Sequence, residues 1–121
     1  MDDATLARIT ATLEAERARL LEEIAEYERE GHETLSDVSG ENNYRDHMAD
    51  QGSATFAREL DMTMEGNARE ALAAVDRALA RIEAGTYGVC GRCSEEICAD
   101  RLEAVPTADL CVSCKAWEES Q

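Results

Sequence analysis

The residues of this chain best suited to chemistry are four cysteines in two tight pairs, Cys90-Gly91-Arg92-Cys93 and Cys111-Val112-Ser113-Cys114. Each C-x2-C pair makes a turn whose two sulfurs grip one side of a tetrahedron, and the 17 residues between the pairs let the second close on the first. Zinc in a structural site prefers four such thiolates at about 2.3 Å, and this spacing reads as a zinc module. Four protein ligands leave no position for water, so the spacing predicts one structural Zn2+ rather than a catalytic one.

The remaining candidates are weaker. Cys98 reads as a small, partly buried residue beside Ile97. No lysine or arginine adjoins it in sequence, which argues against a reactive thiol. His32 and His47 are isolated and read as surface or packing residues. With no phosphate-binding glycine loop and no nucleophile elbow in the sequence, an enzyme is not expected.

The elements that must carry the cysteines are helical. Ala, Glu, Leu and Arg dominate, there is one proline, and aromatics are few. That composition suits long helices with a narrow apolar seam. Leu6, Ile9, Leu13, Leu20, Ile24 and Tyr27 step by about three and four, predicting a helix over 4–30 that is capped by Asp2 or Asp3 and stops at Gly31. Residues 31–49 are polar and read as a connection; their length points to a short helix or a working role there. A second helix is predicted over 50–84. In its latter half Ala68, Leu72, Val75, Leu79 and Ile82 follow a coiled-coil rhythm. Phe56, Leu60 and Met64 continue the stripe more loosely, and Gly66 marks a point where the helix could bend. The glycines of Gly85-Thr86-Tyr87-Gly88 end it. The predicted fold is therefore mostly α: an antiparallel coiled-coil hairpin over 1–86 with its tip at about 31–53, then a four-cysteine finger with a short C-terminal helix over 87–121. Both stripes are expected to bury against each other.

Charge narrows the partners. The chain has 27 acidic and 12 basic residues among 121, a formal net charge of −15. No segment carries an excess of bases, so no face can neutralise many phosphates, and an acidic surface repels both DNA and anionic lipid. The expected partner is a protein, without direct DNA or membrane binding. The Met1-Asp2-Asp3 start has neither a basic nor an apolar stretch, and five cysteines with four in metal-like pairs fit a reducing compartment, so a cytoplasmic protein is expected.

From Ala78 onward the sequence resembles the DksA/TraR family. The run Ala78 to Cys90 (ALARIEAGTYGVC) and the run Arg101 to Cys111 (RLEAVPTADLC) join the four cysteines to an Arg-Leu-Glu-Ala-x-Pro signature. A weaker likeness lies in His47 to Ser53, then Phe56, Arg58 and Glu59, while the first helix is similar only in character. The resemblance implies a regulator that binds RNA polymerase directly, its coiled coil entering the secondary channel so that tip residues act near the active site. The family's tip pattern, Asp-x-x-Asp-x-Ala, falls on His47, Asp50 and Gly52, so only Asp50 keeps its carboxylate. The family's basic guanosine tetraphosphate site falls on Ala74, Val105 and Lys115; with Lys115 the single cation among them, an alarmone response is not expected. Ser94 stands where a glycine often follows the second cysteine. The rival expectation, from the residues alone, is a zinc-stapled coiled-coil adaptor that binds some other protein.

Overall fold

The computed structural model describes residues 1–38 and 51–121. Four helices are described: α1 (Asp3–Val38), α2 (Gln51–Ala84), α3 (Ala99–Ala104) and α4 (Val112–Glu119). Among the described residues there is no strand, only an isolated antiparallel bridge between Val89 and Glu96. No helix there is long and apolar enough to cross a membrane. The fold is mostly α, an antiparallel coiled-coil hairpin with a small four-cysteine finger. It divides into two compact units, Met1–Ala18 with Leu72–Gln121, and Arg19–Ala71.

In the first unit, α1 begins where Asp2 caps it: the Thr5 N–H donates to Asp2 Oδ1 at 2.7 Å, satisfying one of the orphan donors of the first turn. Ile9 and Leu13 of α1 are buried, as are Val75 and Ala78 of α2. Outside this seam Arg17 Nε donates to Asp76 Oδ1 at 2.7 Å, and Arg8 pairs with Glu103 at 3.0 Å. The end of α2 follows the Schellman pattern. Thr86 N–H donates to the Arg81 carbonyl (2.9 Å) and Gly85 N–H to that of Ile82 (3.2 Å), with Gly85 at φ +77° in the left-handed region.

In the second unit Leu20, Ile24 and Ala68 are buried, Tyr27 is half-buried, and Arg69 bridges Glu28 (2.6 Å) and Glu65 (3.7 Å).

Two expectations are corrected here. The first helix does not stop at Gly31 but continues to Val38; glycine costs a helix about 1 kcal/mol, too little to end one flanked by good helix formers. Phe56, Leu60 and Met64 do not join the seam but are 68%, 49% and 43% exposed. The helix α2 is continuous through Gly66.

Candidate metal centre

The finger is built by short-range hydrogen bonds that turn the chain twice. Around the first cysteine pair, Cys90 N–H donates to the Glu95 carbonyl (2.8 Å), Ser94 N–H to that of Cys90 (3.0 Å), and Ile97 N–H to that of Gly88 (2.7 Å). This knuckle requires a left-handed residue, and Ser94 supplies it at φ +64°. Gly88, at φ +89°, is pressed so closely that an added Cβ would meet Met1 Cε at 3.2 Å and Leu102 Cδ1 at 3.5 Å.

The segment between the pairs is positioned by the Arg-Leu-Glu-Ala-x-Pro run. Arg101 Nε donates to the Leu110 carbonyl at 3.0 Å, fixing the approach to the second pair. Leu102 is fully buried, with Ile97 and Ala108 also in the finger's core. The carbonyl of Pro106 accepts the Tyr87 hydroxyl at 2.7 Å, and burial raises the Tyr87 pKa, keeping that hydroxyl a donor.

The two knuckles then meet. Gly91 N–H donates to the Asp109 carbonyl at 2.9 Å, and Cys111 N–H approaches Cys90 Sγ at 3.4 Å. Cys111 is the N-cap of α4 and Cys114 lies in its first turn, so the positive end of that helix faces the sulfurs. The Sγ atoms of Cys90, Cys93, Cys111 and Cys114 all lie within 4.8 Å of one another, and Cys93 and Cys111 are 3.9 Å apart. A tetrahedron of thiolates at the usual zinc distance has edges of about 3.8 Å, so the donor set fits one zinc ion. Cys90 and Cys114 are buried, Cys111 is half-buried and Cys93 is exposed.

Electrostatics within the cluster favour a cation. Backbone N–H groups of Cys93 and Cys111 hold the Cys90 thiol down to about 6. Cys93 is pushed up to about 12: the Glu95 N–H lowers it, but hydrogen bonding with Cys90, burial, and the Cys114 and Cys111 sulfurs outweigh that. For Cys114, the Arg92 hydrogen bond lowers the pKa but is outweighed by Cys111, burial and Cys90, so the net shift is upward. Four adjacent sulfurs resist losing all their protons together, and a divalent ion removes that resistance.

The structure brings together the four cysteines that their spacing predicted to converge. Cys98 stands apart from them and is exposed, which corrects the expectation of partial burial: it caps α3 from outside the core. His47 and Asp50 lie outside the described residues, while Gly52 falls in the first turn of α2. Lys115 is exposed on α4 and pairs with Glu118 at 3.5 Å; Ala74 is half-buried and Val105 exposed. Sequence reasoning missed the arrangement of Arg92 and Trp117 beside Cys114. Its only trace was a cation inside the first C-x2-C pair and an indole one helical turn beyond Cys114.

A helical hairpin bearing such a cluster defines a C4-type zinc-finger protein. The model of the prokaryotic dksA/traR C4-type zinc finger matches residues 85–119. The chain is 35% identical over 107 residues to the RNA polymerase-binding transcription factor DksA of Caulobacter vibrioides, covering 88% of this chain and 75% of that one. General stress protein 16O of Bacillus subtilis is 41% identical over 91 residues, a match spanning 74% of this chain but 56% of the relative's length. The solved structure of transcription factor DksA2 from Pseudomonas aeruginosa superposes with a TM-score of 0.81 at 29% identity, covering 99% of this chain and 87% of the other. The chain belongs to the DksA/TraR family, and its cofactor is one zinc ion.

Proposed function

We propose that the protein is a non-enzymatic regulator of transcription that binds RNA polymerase directly and works from the polymerase's secondary channel. The observation that carries this reading is the 35% identity, over most of both chains, to a factor named for binding RNA polymerase. In this reading Cys90, Cys93, Cys111 and Cys114 hold a structural zinc that folds the finger over 87–121, and the hairpin over 1–86 presents its tip at about 31–53 to the polymerase. His47, Asp50 and Gly52 occupy the acting positions, with Asp50 the carboxylate among them. Lys115 contributes to the docking interface, and guanosine tetraphosphate has no role because Ala74 and Val105 supply no cation. The net charge of −15 supports action on a protein rather than on DNA. The protein works in the cytoplasm, where its partner is.

Binding to purified RNA polymerase, followed by crosslinking from position 50, tests the proposal. Crosslinks to residues lining the channel are expected; crosslinks confined to the outer surface would overturn the channel reading. Recovery of some other protein in place of polymerase subunits would favour the adaptor. Asp50→Asn should bind polymerase as the parent does yet regulate promoter-dependent RNA synthesis poorly, since it removes charge while keeping shape and capping ability. Regulation equal to the parent's would exclude a role for that carboxylate.

A further inference from the structure

The metal centre carries a contact that crosses from one cysteine pair to the other without passing through the metal. Arg92 sits inside the first pair. Its Nη1 reaches Cys114 Sγ in the second pair at 3.5 Å, and its guanidinium carbon lies 3.7 Å from the centroid of the Trp117 ring. Cys114 and Trp117 are three residues apart on α4 and so share a face, one turn from each other. Trp117 is the single tryptophan of the chain and is 47% exposed, so core burial does not explain its position. Its indole is a platform for the arginine.

We infer that Arg92 and Trp117 form a latch that holds the two knuckles together and sets how fast zinc leaves the site. The inference rests on the four cysteines being the zinc ligands.

A zinc ion with four thiolates carries a net negative charge, and a guanidinium hydrogen bond to one sulfur compensates it in place. The flat guanidinium stacks on the indole face, which fixes the direction of its N–H groups toward Cys114; an ammonium on a flexible stem cannot do both. Zinc must also leave stepwise, one sulfur after another, and the exposed Cys93 is the sulfur a chelator reaches first. While the latch is closed, a sulfur that lets go stays near the metal and rebinds, because the knuckles remain joined at high effective concentration. Arg92 and Trp117 are thus positioning residues acting through Cys114.

Zinc transfer from the full-length, zinc-loaded protein to excess 4-(2-pyridylazo)resorcinol, followed by absorbance, tests this. Arg92→Ala and Trp117→Leu should each release zinc about tenfold faster, in line with the loss of an outer contact to a metal ligand. The double variant should exceed the faster single variant by no more than about twofold, because the two residues act as one unit. Arg92→Lys should restore the parent rate only in part. An Arg92→Ala rate within about twofold of the parent, or single effects that multiply in the double variant, overturns the latch. If Arg92→Ala fails to load zinc, Trp117→Phe decides: faster release supports the latch and a parent-like rate overturns it. A parent protein that holds no zinc overturns the ligand assignment and the latch together, whereas a zinc-loaded parent unaffected by these changes overturns the latch alone.

Discussion

Ser94 shows how closely a single position is constrained in the finger. The turn after Cys93 needs a left-handed residue, and a side chain in that region costs on the order of 1 kcal/mol or more. Serine tolerates it because its Cβ bears one small branch, while a β-branched residue would be a genuine outlier. Ser94→Gly should leave zinc-dependent stability unchanged or slightly higher, the lost strain offsetting the entropy of a freer chain. Ser94→Val should lower it by more than about 1 kcal/mol. Thermal melts of the zinc-loaded variants, measured side by side, make the comparison; equal melting of the two would show that the turn relaxes. The cysteine spacing gave the finger's location and the family's usual glycine marked position 94, but the left-handed turn there came only with the structure.

At the scale of the elements, two helix features lend themselves to measurement. Gly66 is exposed within α2, and a Cβ added there would meet nothing within 4 Å. Gly66→Ala should therefore stabilise the protein by about 1 kcal/mol in urea unfolding, the ordinary helix preference for alanine. No gain would mean that α2 is not a continuous helix at this point in solution. The start of α1 carries a pH dependence. Hydrogen bonds from the Thr5 side chain and backbone hold the Asp2 carboxyl below the usual carboxylate range. A depressed folded-state pKa contributes stability above the unfolded value of about 3.9 and loses it as pH falls through the folded value. Relative to Asp2→Asn, the parent should melt higher at pH 6, and the difference should fade below about pH 4. A constant difference across that range would exclude the ionised cap. The cap and the α2 stop were legible because both depend on local sequence. The exposure of Phe56, Leu60 and Met64 was not: their four-residue stepping marks one face of a helix, but not whether another helix lies against that face.

For the whole molecule, metal binding and folding of the finger are expected to be one event. Leu102, Ile97 and Ala108 form too small a core to hold residues 87–121 alone, and small domains of this size rely on such a staple. Removing zinc with excess chelator should cost the far-UV signal of α3 and α4 and change the emission of Trp117, and adding zinc should restore both. Metal analysis should find one zinc per chain, unchanged in Cys98→Ser and lost in Cys111→Ser. Apparent affinity should fall as pH is lowered, because zinc must compete with protons for every sulfur. A Cys98→Ser protein with reduced zinc content would contradict the placement of Cys98 outside the cluster.

By itself the sequence determined the metal, the number of its donors, the helical class and the stop of α2, because each follows from spacing or from the conformational range of residues close along the chain. The family signature between the cysteines was equally legible, and the structure gives its parts separate tasks: Arg101 fixes Leu110, Leu102 fills the core, and the Pro106 carbonyl receives Tyr87. Only the tertiary structure decided which apolar side chains are covered. It left Cys98 exposed and set Arg92 between Cys114 and Trp117. Those outcomes depend on groups far apart in the chain that meet only after folding, and the energy of such a contact is fixed by distance and direction rather than by residue type.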